Sequence, residues 1–413
     1  MDEGAMEEGN MGKTGLPRRQ FLKTAALTGA AMGALAVGRG ADEAGAARRR
    51  TSSAARVPRK ELGTTGATVP IIQLGTSQRL DQTYDRVMHR VFKHGVDAFD
   101  TALSYGWGSS HRAIATFIGQ MGDRKKLWLT SKSNAWSVGG LVKDADKALD
   151  TLETDYLDLY LLHSVDSLDM LAPEFLKAGE RLRKSGKTRF FGFSCHDGRV
   201  VRLMNYAAKV GGIDAILFRY NFRRYGDLEL NRAIDRCKKA GIGLVAMKTN
   251  GAVPARAEKV VAFRSRNFTL GQAKLKSVWA DGRIDSVLSE MDSLRVAKEN
   301  IAAAKSGASL TAGEVHQLNR LAALTAHLAC NGCAHLCEVA AGGRLAIADP
   351  LRFLSYHEAY GDTERARRLY NALPKNRLDV GGASLTAAMA ACPQGINIAG
   401  RLAQARRALL AQG

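Results

Sequence analysis

The sequence predicts an α/β protein, a (β/α)8 TIM barrel followed by a mainly helical C-terminal extension. From Arg59 to about Asn300, short apolar runs alternate with amphipathic helical patterns, as repeated strand–helix units do. Eight such runs fit into that stretch, the number a closed barrel of parallel strands needs. No G-x-G-x-x-G opens a helix after any of them, which argues against a doubly wound open sheet.

The expected strands are Ile71–Leu74, Ala98–Phe99, Leu127–Leu129, Leu157–Leu162, Phe190–Phe193, Ala215–Phe218, Gly243–Ala246 and Ile284–Leu288. Helices are expected over Thr83–His94, Ser110–Gln120, Leu141–Glu153, Glu174–Lys184, Val200–Val210 and Leu228–Lys239. Beyond the barrel, Ala312–Leu328 has apolar residues at helical spacing, with Thr311 as N-cap and Glu314 three residues on to complete a capping box.

With 413 residues the chain is long enough for more than one domain, and 46% of them are hydrophobic, as in an ordinary globular protein. The net charge of +20 is large, but Lys and Arg are spread along the whole chain and accompany no nucleic-acid-binding motif. A basic solvated surface that attracts anions accounts for it. Nucleic acid is not the expected partner; a basic nucleic-acid binder would show strongly salt-dependent retention on DNA.

Residues 1–46 read as a removable segment. Arg18-Arg19-Gln20-Phe21-Leu22-Lys23 precedes a weakly apolar run, Ala25 to Val37, and then Ala44-Gly45-Ala46, an A-x-A cleavage pattern. The arginine pair resembles a twin-arginine export signal, which implies passage through that machinery to the periplasm or another exported location. The apolar run is too short to span a bilayer unaided. The expected organisation is a signal at 1–46, a linker at 47–56, a barrel at 57–304 and a helical domain at 305–413.

In a barrel of this kind chemistry sits at the C-terminal ends of the strands. Those ends carry Asp100 in "FDTALSYG", Lys132 in "LTSKS", His163 in "LYLLHS" and Ser194 in "FGFSCH", with Tyr105 close by. "GVDAFDTALSYG" resembles the signature of the aldo-keto reductase family, and "RKELGTTGATVPIIQLGT" resembles that family's N-terminal hairpin, which closes the barrel floor. The resemblance covers roughly residues 57–300 and implies a catalytic tetrad. Tyr105 would donate a proton to a carbonyl, Lys132 would lower its pKa, Asp100 would pair with Lys132 and His163 would orient the carbonyl. A tyrosine starts near pKa 10 and needs a close cation to exchange protons at neutral pH. Hydride would come from NADP(H), and the substrate would be a small carbonyl compound or its alcohol.

The nicotinamide subsite departs from the family's pattern. Ser194-Cys195 stands where Ser-Asn is usual, Leu217 where Gln is usual, and Met247 where an aromatic residue stacks; the last recurs in the iron–sulfur branch of the family. Glu299-Asn300 resembles the pair at the adenosine end, with Val296 in place of the usual Arg and Arg295 or Lys298 as its substitute. Ser194, Lys248, Glu299 and Asn300 are the candidate nucleotide contacts. His111 replaces a usual Glu and is read as a structural substitution. Trp107 and Trp136 would either wall the substrate or pack.

"CNGCAHLC" gathers Cys330, Cys333 and Cys337, and Cys392 follows in "AACPQGINIA". A Cys-Pro before a short apolar segment is how ferredoxin-like cluster motifs end, and four thiolates suffice for one [4Fe–4S] cluster. The iron–sulfur branch of the aldo-keto reductases resembles this arrangement: a ferredoxin-like tail of two cluster motifs around a helical insert, here "LRFLSYHEAYGDTERARRLYNAL". Removing one complete ligand set from such a tail leaves a single cluster. Zinc in the same four thiolates, joined by His335 or His327, two disulfides, or an emptied site remain alternatives. Cys195 and Cys237 read as buried free thiols.

The expected function is thus an exported oxidoreductase with a barrel active site and a cluster domain, with an electron-transfer partner if electrons leave through the cluster. The alternative from a different class is an electron-transfer or binding protein that keeps the barrel as a scaffold.

Overall fold

Parallel strands covered on both faces should read as continuous apolar runs, and this barrel is built from such runs. In a computed structural model, residues 56–410 are described apart from 78, 79, 81–84, 197 and 252. The export signal expected at 1–46, and the linker up to residue 55, lie outside the described residues. The described residues form a single compact unit.

A short antiparallel hairpin, β1 (Arg59–Glu61) with β2 (Thr68–Pro70), precedes the barrel. The barrel strands are β3 (Ile72–Gly75), β4 (Ala98–Asp100), β5 (Trp128–Ser133), β6 (Leu157–Leu162), β7 (Thr188–Cys195), β8 (Ala215–Arg219), β9 (Gly243–Met247) and β10 (Ser286–Glu290). They pair in parallel in chain order, and β10 closes the ring on β3 with Val287 opposite Ile72. Leu62, Ala67 and Val69 of the hairpin region pack with Ala98, Trp128, Leu159, Leu161, Val245 and Met247 inside the barrel, the expected floor.

Helices α1 (Asp85–Lys93), α2 (Ser109–Met121), α3 (Val138–Leu152), α4 (Pro173–Lys184), α5 (Val200–Val210), α6 (Leu228–Lys239), α7 (Ala255–Glu258), α8 (Leu270–Trp279) and α9 (Leu294–Lys305) follow. Their buried faces, for instance Leu141, Ala145, Ala148 and Leu152 of α3, meet the outward side chains of the strands in one large core. The strands and helices fall close to the stretches expected from sequence. β10 is displaced toward its C-terminal end: Asp285 is drawn off to bind Lys238 and the backbone amides of Gly63 and Leu244. The displacement carries Glu290 to the barrel rim.

The extension contains α10 (Ala312–Leu324), α11 (Ala334–Ala340), α12 (Ala348–Tyr360), α13 (Thr363–Asn371), α14 (Leu385–Ala390) and α15 (Ile398–Leu409), with no strand among the described residues. The capping box of α10 is formed: Glu314 N donates to Thr311 Oγ1 at 3.2 Å and Thr311 N to Glu314 Oε2 at 2.7 Å. This helix ends at Leu324 rather than Leu328 because Arg223 of the barrel takes the hydroxyl of Thr325 at 2.8 Å and a tight turn follows. Leu318 and Leu321 pack with Phe222, Val261 and Phe268, tying the extension to the barrel. No helix among the described residues is long and apolar enough to cross a membrane.

Candidate active site and cysteine cavity

The four residues expected at the rim come together. Lys132 Nζ donates to Asp100 Oδ1 at 2.6 Å, to the Thr101 carbonyl at 2.8 Å and to Tyr105 Oη at 3.3 Å. The side chains of Lys132 and Asp100 are only 1% and 3% exposed. The His163 ring meets Tyr105 edge-on, with centroids 5.7 Å apart. His163 Nδ1 lies 3.0 Å from Asn134 Oδ1. With a carbonyl oxygen as acceptor, Nδ1 carries the proton and Nε2 is left to accept. Burial first, then Lys132, Arg352 and Arg365, hold His163 well below the ordinary imidazole range, so the ring is neutral.

Several backbones at the rim are left-handed. Trp107, Ser164 and Lys248 have φ of 56°, 58° and 58°. All three lie just after Tyr105, His163 and Met247. Non-glycine residues held this way cluster where a fold positions side chains for use.

The electrostatics correct one expectation. Lys132 was to lower the pKa of Tyr105, yet the phenol is pushed well above 10, first by burial and then by the Asp100 carboxylate. Asp100 cancels the lysine charge at short range. The phenol therefore keeps its proton at neutral pH, and because Lys132 donates to Oη, that proton is free to be given elsewhere.

Of the candidate nucleotide contacts, Ser194 lies at the end of β7 and accepts from the Ser164 amide at 2.9 Å. Cross-strand register sets Ser194 beside Leu217, and Arg219 beside Met247. Lys248 follows directly but turns to the extension, donating to Tyr356 Oη at 2.9 Å. Glu299 and Asn300 stand apart on α9: Glu299 pairs with Arg295 at 3.0 Å, and Asn300 donates to Ser289 Oγ. His111 is buried with Nε2 3.1 Å from Ser131 Oγ, and burial ahead of Lys132 and Arg112 takes its pKa down to about 3. A neutral, enclosed ring fits the structural reading. Trp107 and Trp136 are 81% and 69% exposed, so neither packs in the core. Trp107 lies under Arg368 of α13, 5.7 Å from the guanidinium carbon to the ring centroid.

Sequence reasoning missed the contribution of the extension. Tyr356, buried on α12, receives Lys248 and, at 3.5 Å, Arg352; the Arg365 guanidinium stacks 4.6 Å above its ring. Arg365 also pairs with Glu290 at 3.2 Å, and Glu290 bonds Ser77. The signal was present: Arg352, Tyr356 and Tyr360 recur every fourth residue, a polar and aromatic stripe on one face of the helix.

Cys330, Cys333, Cys337 and Cys392 line one small cavity with Ile347, Leu351, Ile396 and Ile398. Burial pushes the Cys330 thiol up to about 11 and Cys337 to about 12, each further raised by neighbouring cysteines. Among the described residues, however, no group of three or more His, Cys, Asp or Glu is placed to hold a metal ion. The cysteine loop sits on the barrel: Gly198 N donates to the Gly332 carbonyl at 2.7 Å, and Arg219 Nη1 to the Cys330 carbonyl at 2.5 Å. Cys195 and Cys237 are fully buried in the barrel core, as expected.

An eight-stranded barrel thus carries an acid, a lysine, a tyrosine and a histidine gathered on one rim, and comparison shows what it is similar to. Residues 72–268 match the model of the aldo/keto reductase family. L-galactose dehydrogenase of Arabidopsis thaliana is 24% identical over 60% of this chain and 88% of its own. Methylglyoxal reductase DkgB of Salmonella typhimurium is 28% identical over 54% of this chain and 82% of its own. Among solved structures, a thermostable aldo-keto reductase in complex with the inhibitor epalrestat is 26% identical with a TM-score of 0.52, over 64% of this chain and 99% of that one. An aldo-keto reductase from Bacillus halodurans, at 22% identity and a TM-score of 0.56 over 64% of this chain and 96% of that one, shares the fold. The family model and these relatives support the aldo/keto reductase family for this chain, and with it an oxidoreductase; that family uses NADP(H).

Proposed function

We propose that this chain is an exported oxidoreductase that transfers hydride between NADP(H) and a small carbonyl or alcohol, with Tyr105 as proton donor, and that it carries a single [4Fe–4S] cluster. The observation that carries the enzymatic part is the hydrogen-bonded chain Asp100–Lys132–Tyr105 with His163 against the phenol. Lys132 donates to Tyr105 Oη and fixes the ring, leaving the phenolic proton for a developing alkoxide. Desolvation keeps that proton in place until the oxygen beside it gains charge. Leu217 and Met247, with the Ser194 hydroxyl beside Leu217, would form the floor for a nicotinamide, which when bound supplies the hydride. The likeness to a methylglyoxal reductase and to a sugar dehydrogenase supports a small, oxygen-rich substrate.

Four sulfurs share one cavity with Ile347, Leu351, Ile396 and Ile398, beside Asn331 and Gln394, and a four-thiolate set of this kind suits an iron–sulfur group. Cys330, Cys333, Cys337 and Cys392 would hold the cluster, which when bound supplies one-electron transfer. The export part rests on the arginine-pair motif at Arg18–Lys23 and on the value of carrying a cofactor already inserted through a route for folded proteins.

A second reading, an electron-transfer or binding protein on a scaffold barrel, is favoured by the cover that Tyr356, Arg352 and Arg365 lay beside the tetrad. One preparation separates the two: anaerobic purification, iron and sulfide analysis, NADPH fluorescence titration and assay of carbonyl reduction. About four irons per chain and saturable NADPH binding are expected. Tyr105→Phe should lose roughly 10²–10⁴-fold in reduction rate with its melting temperature kept. Iron without nucleotide binding would leave the scaffold reading, and full activity in Tyr105→Phe would remove the proton-donor role.

A further inference from the structure

We propose that His196 is a second imidazole of the active site, which together with His163 holds a hydroxyl on the carbon next to the reacting carbonyl and so selects α-hydroxycarbonyl substrates. The inference rests on the reductase reading and deepens it by naming a residue that decides which carbonyl is taken.

Adjacent strands place the two histidines. His163 follows β6 and His196 follows β7, with Leu162 opposite Phe193 in the parallel register. The turn after β6 is fixed by β7: Ser164 N donates to Ser194 Oγ at 2.9 Å and Val165 N to the Ser194 carbonyl at 2.7 Å. The turn after β7 is fixed from the other side, by the extension. Gly198 N donates to the Gly332 carbonyl at 2.7 Å, and a Cβ added at Gly332 would fall 2.8 Å from the His196 carbonyl oxygen. Gly332 also has a φ of 77°, which itself favours glycine. The backbone at His196 is thus gripped between the barrel and the cysteine loop.

The ring centroids of His163 and His196 are 6.5 Å apart, with planes inclined at 55°. Two imidazoles bonded nitrogen to nitrogen would have centroids only about 5 Å apart, whereas one bridging oxygen at ~2.8 Å from each nitrogen spreads them to about 6–7 Å. The gap therefore suits a single oxygen between the rings.

The hydrogen-bonding roles say which oxygen. His163 is neutral, its Nδ1 is engaged by Asn134 Oδ1 at 3.0 Å, and Nε2 is left to accept. A carbonyl oxygen only accepts, so it cannot satisfy Nε2; a hydroxyl can. His196 Nδ1 is buried without a hydrogen-bond partner among the described residues. Burial first, then Arg352, Lys248, His163 and Arg219, hold this ring well below the ordinary imidazole range, so it too is uncharged, with one N–H to give. A buried ring nitrogen without a partner is unfavourable until a ligand completes it. A substrate hydroxyl fills both needs, donating to His163 and accepting from His196. The carbonyl is then left to Tyr105, whose ring lies beside His163 with centroids 5.7 Å apart, just as the two oxygens of an α-hydroxycarbonyl stand on neighbouring carbons.

The test is NADPH-dependent reduction of glycolaldehyde and of acetaldehyde by the full chain, since the two aldehydes differ by that one hydroxyl. The wild type should favour glycolaldehyde roughly ten-fold or more in kcat/KM, because a site built to pair a hydroxyl rejects the analogue that lacks it. His196→Phe keeps a ring of similar size without its nitrogens and should cost glycolaldehyde roughly ten-fold more than acetaldehyde. His196→Gln, whose amide can still donate, should restore part of the preference. If His196→Phe does not fold, His196→Leu carries the same expectation. A merely structural His196 would lower both aldehydes in parallel. That result, or wild-type turnover of both aldehydes without preference, overturns the proposal and leaves the reductase reading standing. Reduction of neither aldehyde by the wild type overturns both this proposal and the small-carbonyl reading on which it rests.

Discussion

Two lysine–tyrosine pairs stand at the mouth of this barrel, and their chemistry is opposite. In one, Lys132 donates to Tyr105 at 3.3 Å; in the other, Lys248 donates to Tyr356 at 2.9 Å. Tyr356 is buried and Tyr105 half-buried, and burial alone raises a phenol pKa. Around Tyr105 the nearby Asp100 neutralises the lysine and the phenol is pushed further up. Around Tyr356, Lys248, Arg352 and Arg365 act without a carboxylate in contact with the phenol, outweigh burial and bring it down to about 7. A lysine beside a tyrosine does not by itself make an acidic phenol; the charge balance of the next shell decides.

The sharpest break in the comparison comes from unbalancing the first pair. Lys132→Met leaves the Asp100 carboxylate buried and unpaired, and Asp100 already has its pKa raised by burial against the pull of Lys132. Removing one partner of a buried ion pair costs about 3–5 kcal/mol. Urea denaturation should show a loss of that size in Lys132→Met, largely recovered in the double variant Asp100→Asn/Lys132→Met. A double variant as unstable as the single one would mean that packing, not charge, is at stake.

The second pair is exposed by pH. A phenol whose folded pKa, about 7, lies below its unfolded value near 10 binds fewer protons in the folded state over that window. Its stabilisation is fully present above pH 10 and is lost as pH falls through 7. Wild type and Tyr356→Phe should therefore differ little in this term below neutral pH and diverge as pH rises to 10, by at most ~4 kcal/mol at 1.36 kcal/mol per unit. Tyrosinate absorbance should show a step near pH 7 in wild type and in Tyr105→Phe, and none in Tyr356→Phe. A step that survives in Tyr356→Phe would assign the acidic phenol elsewhere.

Only the first pair was legible in the sequence. Asp100, Tyr105, Lys132 and His163 follow successive strands, so a pattern of apolar runs locates all four on one rim, whatever the helices between them do. The four cysteines were legible as well, because thiols at short spacing have few other uses. Tyr356, Arg352 and Arg365 lie more than two hundred residues beyond Tyr105 on an insert between cysteine motifs. Nothing local says that α12 folds back over the barrel. Glu290 was hidden by a smaller effect, a strand that ends two residues later than its apolar run. Charge balance at a site built from distant segments is a tertiary property, so the expected direction for Tyr105 failed although its neighbours were named correctly.

The mildest way to sharpen the comparison is to loosen the seat of the extension without touching either pair. Gly198, after β7, lies against the cysteine loop so closely that an added Cβ would fall 2.6 Å from the Cys333 Cα, and its amide holds the Gly332 carbonyl. Backbone rather than a flexible side chain stands in the way, so Gly198→Ala must push the loop outward. Overpacking of this kind costs about 1–3 kcal/mol. The loss should fall on the extension, because the barrel ring closes on itself without it. Hydrogen exchange should therefore quicken in α11 and α12 before it does in β5 or β6. Tyr356 would be held less firmly by Lys248, and the tyrosinate step should move up from 7 toward the ordinary phenol value while the Asp100–Lys132–Tyr105 chain stays intact. A variant that loses protection evenly across barrel and extension would show instead that the two pairs belong to one cooperative unit, and that the mouth has no separately movable half.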